Sequence, residues 1–423
     1  MFLITKIKRK LRHKYNLFVR PFFGHDLNIL YRMSNEDYPF GACSSDIHLM
    51  NALLWLDTVN KKLAGQGFPA KFSVGSSYGM TNSYPETTGY TLSTLLTIFR
   101  NQPWKNFNYN IVKNLIENCH NYLLTMQLEN GAFTGGREGQ AGFGEPSVFD
   151  TGQILLGLSD LYETSESKTL DKKISIDRPK LKIVIVRAAD FLLSQIDNDG
   201  AFKPAHTYLK TKKTYYTRAA YGLLRSGIVL NNEKYKRGAR RNFDYALSQQ
   251  ETSGWINGAG FNDDLLVLHT IAYTLRGLVE AATYFKEKTY LQAVAKNFDF
   301  LLDFNRENFR YPKLLPSHYA ADKTYINDLC VTGLSQIAIV IKKYNAILPM
   351  PDNRLEKLFS EIVQATKRFQ IRGMKNPCLN GAMPASWPIN GKYQPYNLIE
   401  WGVKFFMDSL LLDMGISSGE IKG

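Results

Sequence analysis

Residues 121–133 read NYLLTMQLENGAF, and this stretch decides the fold. It is the end of an apolar helix closing on Gln127, then a short polar turn, then Gly131 and an aromatic residue. The phrase recurs as DFLLSQIDNDGAF at 190–202 around Gln195 and as DYALSQQETSGWI at 244–256 around Gln249. A degenerate copy, FDFLLDFNRENFRYP, lies at 298–312 near Asp303, and a last one, ATKRFQIRGMKNPCLNGAM, at 365–383 near Gln370. The copies stand about 54 to 68 residues apart, room for two helices and two connections. Self-similarity at such a period marks an architecture built from repeated supersecondary units.

Working outward, segments with small and apolar residues at helical spacing lie between the copies, at 86–100, 149–163, 215–227, 268–284, 325–344 and 397–413. Their partners are 45–64, 110–127, 182–195, 234–250, 289–303 and 353–370, which makes six hairpins. Six αα-hairpins in sequence close most simply into a double ring, so the expected fold is all-α, an (α/α)6 toroid. Gly89, Gly152, Gly157, Ala219, Ala220, Gly222, Gly277 and Gly333 suit a crowded inner ring. No strand-rich segment argues for a β-domain. The expected organisation is a basic N-terminal arm at 1–40, the barrel at 41–414 and a short tail at 415–423. The Lys- and Ser-rich insertion at 165–182 reads as a surface loop.

The chain has 423 residues, which one domain accommodates if repeats extend a single core. Its four cysteines, Cys43, Cys119, Cys330 and Cys378, show no CxxC spacing, which argues against a zinc site and against a disulfide framework. A reducing, cytoplasmic compartment is the simplest reading, and no motif calls for a cofactor. The net charge of +14 is concentrated at residues 1–23, where Lys6, Lys8, Arg9, Lys10, Arg12, Lys14 and Arg20 mix with Phe2, Leu3, Ile4, Phe18, Phe22 and Phe23. That mixture suits a segment lying on an anionic membrane surface at the inner face, or a solvated basic tail. No nucleic-acid module follows the arm, so nucleic acid is not an expected partner.

Connection lengths name the working end. Those leading into the inner helices, 65–85, 128–148, 196–214, 251–267, 304–324 and 371–396, run to about 16 to 27 residues, whereas 228–233 and 285–288 are short. Long loops in a compact domain are usually functional. Alternation puts all of them at one end, where the inner helices begin and their free N–H groups favour anionic or hydroxyl-rich ligands. Aromatic residues fill these loops, among them Tyr84, Phe133, Phe202, Tyr208, Trp255, Phe261, Trp387 and Tyr393. They are suited to stacking on sugar rings, and equally to stapling their own loops.

Each inner helix opens with polar groups. Glu86 stands above Tyr90, and Asp150 above Gln153. Tyr216 and Arg218 open the third helix. His269, Tyr273 and Arg276 share one face, as do Asn397, Trp401, Lys404 and Asp408. A wet lumen would accommodate so many polar groups, with Arg276 pairing with Asp408 across it. Glu86, Asp150, Asp328 and Glu400 form a carboxylate pool for glycosidic cleavage, one acid and one base or nucleophile. Tyr216, His269 and Tyr273 form a second pool, for abstracting the C5 proton of a uronic acid, with Arg218 or Arg276 neutralising the sugar carboxylate. Tyr84, Gln153, Arg218, Trp255, Asp263, Asp264, Tyr273, Arg276, Trp387 and Trp401 are the candidate substrate-binding residues. Each has a plainer role open to it. Glu86 follows Pro85 in a first turn that favours acids anyway, Asp150 can be an N-cap, and His269 can be a satisfied core histidine.

The Gln-x-x-x-Gly-aromatic phrases resemble the repeats of the squalene cyclase and prenyltransferase superfamily, and the hairpin count resembles the six-hairpin glycosidases and related polysaccharide lyases. Tyr84-Pro85-Glu86-Thr87-Thr88-Gly89-Tyr90, Val148-Phe149-Asp150-Thr151-Gly152-Gln153 and the run from His269 to Gly277 look like a bacterial family of surface-polysaccharide gene clusters, over roughly residues 40–412. That resemblance implies an oligo- or polysaccharide partner, acidic or lipid-linked. The reactions it leaves open are hydrolysis, uronic-acid elimination or C5-epimerisation, and glycan binding without catalysis. The Asp-x-Asp-Asp motif of the cyclases is missing, as is the zinc-holding pattern of the protein prenyltransferases, which weighs against terpenoid chemistry.

Overall fold

The computed structural model describes residues 25–37, 40–75, 79–166, 174 and 176–417. The basic segment 1–23, residues 167–173 and 175 of the 165–182 insertion and the end of the tail lie outside the described residues, and the end of that insertion, expected as loop, is already helix from Arg178. A first helix, α1 (His25–Ser34), buries Leu30 and Met33, and its Asp26 accepts hydrogen bonds from the backbone of Lys375 and Asn376. Some of the expected arm is thus docked on the barrel.

Twelve further helices alternate between two rings. The outer ones are α2 (Ser45–Lys62), α4 (Asn110–Leu124), α6 (Arg178–Ser194), α8 (Glu233–Ser248), α10 (Lys288–Leu302) and α12 (Asn353–Phe369). The inner ones are α3 (Pro85–Asn101), α5 (Val148–Thr164), α7 (Thr217–Val229), α9 (Leu268–Phe285), α11 (Val331–Asn345) and α13 (Glu400–Asp413). Each inner helix packs on the next inner helix, and α13 returns to α3, so the ring closes. Each also packs on the outer helix that follows it, and α13 takes α2 as its partner. The chain is an (α/α)6 toroid.

The two rings differ in sequence as their surroundings demand. In α12, Leu355, Leu358, Phe359, Ile362, Val363, Thr366 and Phe369 are buried, one stripe at helical spacing over an otherwise polar helix. Helix α5 is buried on every side except at Glu163, so apolar residues surround it and its polar groups, such as Asp150, Gln153 and Asp160, are buried with them. Inner helices approach closely, and a Cβ at Gly157 would overlap the carbonyl of Gly89.

Short antiparallel strands replace two expected helix starts. Strands β1 (Lys71–Ser73), β2 (Gly79–Met80) and β7 (Asn397–Ile399) form one sheet, β3 (Leu266–Val267) pairs with β4 (His318–Tyr319), and β5 (Leu329–Cys330) pairs with β6 (Ser386–Trp387). Helix α11 therefore begins at Val331 and α13 at Glu400, because the residues before them pair with neighbouring long loops. These pairings bind the crown of loops into one rim at the end where inner helices start.

The repeated phrase is a staple between outer helices. A side chain at Gly131, Gly200, Gly254 or Gly381 would overlap the backbone carbonyl of Arg187, Arg241, Lys296 or Asn51, each on the next outer helix around the ring. The glutamine adds a second clasp. Gln127 Nε2 donates to the carbonyls of Gly131 and Val184, Gln250 to those of Gly254 and Ala293, and Gln370 to those of His48 and Gly381. In the third copy the clasp is Gln250, one residue beyond Gln249. In the second, Ile196 occupies the position and Gln195 bonds only Ser194 locally. The last copy joins the final loop to α2 and so closes the outer ring.

Gly381 has φ +94° with no room for a Cβ, whereas Gly373, at φ +69°, faces open space. We expect Gly373→Ala to cost only left-handed backbone strain, about 1–2 kcal/mol. Gly381→Ala must also push the final loop away from α2 and should cost about 3 kcal/mol or more. Urea unfolding of the two variants against the parent measures the difference.

Candidate functional site

Three carboxylic acids meet at the loop end, each in the first turn of an inner helix: Glu400 on α13, Glu86 on α3 and Asp150 on α5, successive members of the ring. Pro85 at the helix start places Glu86. Ser147, not Asp150, is the N-cap of α5. Its hydroxyl accepts from the Asp150 N–H and also bonds Asp150 Oδ2, which frees Asp150 from the capping role.

Tyr208, from the loop between α6 and α7, bridges the acids. Its hydroxyl lies 2.6 Å from Asp150 Oδ2, 3.2 Å from Glu86 Oε2 and 2.9 Å from the Tyr84 hydroxyl. One oxygen reaching both carboxylates bounds the separation of those two atoms at about 6 Å. Tyr208 as a residue is 41% exposed while its hydroxyl meets the buried acids. Tyr216 holds this arrangement, since its hydroxyl accepts the Tyr208 N–H at 2.9 Å. Tyr216, expected among the proton-abstracting residues, is thereby committed to positioning Tyr208.

Burial governs the ionisation of these groups. Glu86 is raised well above the ordinary carboxylate range by burial and by the neighbouring charge of Asp150, and hydrogen bonds with Tyr84 and Tyr208, then the Arg218 guanidinium, offset some of this. Asp150 is raised less, because hydrogen bonds from Ser147, Tyr208 and Tyr84 oppose its burial. The pair therefore retains one proton, chiefly on Glu86, to higher pH than an exposed carboxyl would. Glu400 is also pushed well above its usual range by burial, with Thr91 Oγ1 donating to Oε1 at 2.7 Å. Among the described residues, Asp150 Oδ1, Gln153 Nε2, the Tyr90 hydroxyl and Glu400 Oε2 are buried without a hydrogen-bond partner. These are unmet polar atoms on three adjacent helices.

Aromatic rings complete the wall. Phe149 contacts Tyr208, Tyr216 and Tyr273 at centroid distances of 5.7, 5.7 and 5.2 Å, and Phe405 packs on Tyr90 and Tyr273. His269 lies 4.5 Å from Tyr273 and 5.4 Å from Tyr393, whose hydroxyl accepts from Trp401 Nε1. The His269 Nδ1 faces Gln336 Oε1 at 2.7 Å, and burial lowers its pKa to about 4, so the imidazole is neutral.

Deeper in the ring the expected wet bore gives way to side chains that satisfy one another. Arg218 Nε donates to Gln153, Arg225 binds Asp160 and Glu163, Arg276 and Lys343 share Glu280, and Asp408 accepts from Lys404 and Thr94. Arg276 with Glu280 and Lys404 with Asp408 are i,i+4 pairs within single helices.

Several expected site residues lie elsewhere. Asp328 binds Ser317 Oγ and the Lys392 N–H, tying loops together at the rim. Asp263 pairs with Lys213 at 2.7 Å, and both Asp263 and Asp264 are exposed. Trp255 is buried against Phe300 of α10, and Trp387 is stacked on Phe369 of α12, so both staple loops to outer helices. Tyr84, Glu86, Asp150, Gln153, Arg218, His269, Tyr273 and Glu400 do converge.

No family model matches the sequence, and no curated protein matches it. Solved structures do match in fold. An unsaturated glucuronyl hydrolase specific for heparin aligns at a TM-score of 0.63 and 11% identity, over 90% of this chain and 99% of its own. A sugar epimerase from a ruminal bacterium gives 0.66 and 10%, over 88% and 98%. A D-mannose isomerase gives 0.65 and 12%, over 87% and 97%. The fold is that of the six-hairpin toroids. At such identities the likeness concerns backbone alone, and the chemistry of this six-hairpin toroid has to be argued from its own side chains.

An acid held protonated by the fold destabilises it at higher pH. Glu86 has a folded pKa above its unfolded value near 4.5, so the folded state binds the extra proton and stability falls as pH rises from there toward the raised value. Glu86→Gln removes that penalty. Its Tm should exceed that of the parent at pH 8, and the gap should close toward pH 4.

Proposed function

We propose that this chain is a carbohydrate-active enzyme that cleaves a glycosidic bond at the Glu86–Asp150 pair. The observation that carries the reading is one phenolic hydroxyl spanning two buried carboxyls, one of which keeps its proton near neutrality. Glu86 donates that proton to the departing glycosidic oxygen. Asp150, the more readily ionised partner, attacks the anomeric carbon, and water then releases the sugar with Glu86 acting as base. Double displacement uses carboxyl groups about 5–5.5 Å apart, whereas single displacement leaves about 6.5–9.5 Å for an intervening water. The bound set by Tyr208 favours the former. Tyr208 occupies a position that a substrate hydroxyl would take, and the unmet atoms of Asp150, Gln153, Tyr90 and Glu400 supply complementary partners for a polyhydroxylated ring. Rings such as Phe149 and Tyr273 supply its apolar face. A charged lumen of this kind disfavours isoprenoid substrates.

A surface-polysaccharide fragment, acidic or lipid-linked, is the substrate class that fits the earlier resemblance. No helix of the described residues is long and apolar enough to cross a membrane, and contact with an anionic membrane surface rests on residues 1–23.

A second reading has one observation in its favour. His269 is a neutral imidazole in the same aromatic wall, able to accept a carbon-bound proton as epimerisation or elimination requires.

Incubation with oligosaccharides of such glycans separates the two. Glu86→Gln and Asp150→Asn should each lower kcat by about 10²–10⁴-fold, the usual worth of acid–base groups, with glycan Kd changed only a few-fold. If both retain turnover while His269→Asn abolishes it, with solvent deuterium entering the sugar, the proton-abstraction reading replaces cleavage. Glycan binding with no turnover by the parent chain would leave a scaffold.

A further inference from the structure

Residues 204–211 run between two fixed points. Before them the Lys203 N–H donates to the Gln195 carbonyl at 2.8 Å, and after them the Thr214 N–H donates to the Gly258 carbonyl at 3.0 Å. Within the segment, the Thr207 and Lys210 N–H groups and the Thr207 hydroxyl bond only to carbonyls of the segment itself. Among the described residues, the hydrogen bonds that join 204–211 to the rest of the molecule are all made by Tyr208. Its N–H donates to the Tyr216 hydroxyl, and its own hydroxyl meets Asp150, Glu86 and Tyr84. Ring contacts add His206 on Phe191 at 5.8 Å and Tyr208 on Phe149 at 5.7 Å. Leu209 and Lys210 are exposed. The segment is thus a surface strap, and its hydrogen-bonded anchor is the one residue that reaches the acids.

That anchor stands where a ligand must go. A phenol carries one hydrogen and can still accept. The 2.6 Å bond assigns the hydrogen to Asp150 Oδ2, and Glu86 Oε2 lies 3.2 Å from the same oxygen, ready to offer its retained proton. A sugar hydroxyl has the same one hydrogen and the same lone pairs, so it replaces the phenol bond for bond. Both cannot occupy the gap together. We propose that 204–211 is a strap latched over the acids by Tyr208 and released when a carbohydrate hydroxyl takes the phenol's place. This rests on the reading that the acids receive a sugar. The exchange conserves hydrogen bonds at Asp150 Oδ2 and Glu86 Oε2, so opening sacrifices the Tyr216 bond and the ring contacts alone. Without a ligand, the closed strap satisfies both oxygens.

Amide hydrogen exchange on peptides covering 204–211 tests this with the full chain, first without ligand. Tyr208→Phe keeps the ring and removes the latch. Its strap should exchange about three- to tenfold faster than the parent's, the worth of roughly one hydrogen bond, with α5 and α7 unchanged. Tyr216→Phe should act likewise through the lost N–H acceptor. A water-soluble carbodiimide with an added amine should label Glu86 faster in Tyr208→Phe than in the parent. Adding the oligosaccharides used for turnover should speed strap exchange in the parent and leave Tyr208→Phe unaltered. Glu86→Gln, inactive under the cleavage reading, keeps the bond to Asp150 and should keep this response, so loss of turnover and loss of the latch are read apart. Unchanged strap exchange in Tyr208→Phe would overturn the latch. Strap amides slowed or unmoved by oligosaccharide in the parent would overturn its release by a sugar.

Discussion

A double ring of helices leaves an axis with no helix of its own, and the side chains of six inner helices must satisfy one another there. That requirement orders the molecule from top to bottom. An ion pair without solvent is tolerable only when its geometry is good and its remaining hydrogen bonds are met. Arg225 with Asp160, Arg276 with Glu280 and Lys404 with Asp408 meet it in the deeper half, each cation paired with an acid on its own or an adjacent helix. The packing that brings those helices close enough depends on the small residues between them, and the outer ring is held by the repeated glycine clasp. Fold and centre are therefore one problem, since loosening the clasps would let water reach charges that were paired in its absence.

Satisfaction is incomplete, and the acids at the loop end are among the groups it leaves unmet. Near the loop end Asp150, Gln153, Tyr90 and Glu400 each retain a buried polar atom without a partner, and Glu86 and Glu400 hold protons that an exposed carboxyl would release. Unmet donors and acceptors cost free energy that the structure could recover by substitution with apolar residues. Buried unmet atoms occur elsewhere too, as at His120, Asn242 and Ser335, so it is the combination with raised carboxyls that sets the loop end apart.

Much of the fold was legible in the sequence because its key features are obligatory at the residue level. The glycine of four of the five repeat copies has no substitute where backbone meets backbone, and Glu86 and Asp150 stand out by opening inner helices. Other features left no such trace. Gln249 and Gln250 stand side by side, and only the register of a helix end decides which one clasps. Trp255 and Trp387 sit in long loops as a sugar-stacking residue would, yet each is folded back on an outer helix. Tyr208 belongs to a lysine-rich loop with no periodicity to reveal that its hydroxyl turns inward. The pairing of Arg276 with Glu280 is readable as an i,i+4 spacing.

The same geometry bears on the acids at the loop end. The six inner helices point their N-termini toward the crown, so their dipoles favour negative charge at the first turn, and that alone would lower the pKa of acids there. Glu86 and Glu400 are nevertheless raised, which means burial outweighs the dipoles. Both acids meet Tyr84 and Tyr208, but Asp150 also has Ser147 and its own backbone N–H, whereas Glu86 bears the charge of Asp150, so Asp150 stays nearer its ordinary value. Two acids a single hydroxyl apart thus differ in the proton each holds. Tyr208, whose hydroxyl contacts both, is carried by a surface loop whose movement would change both at once.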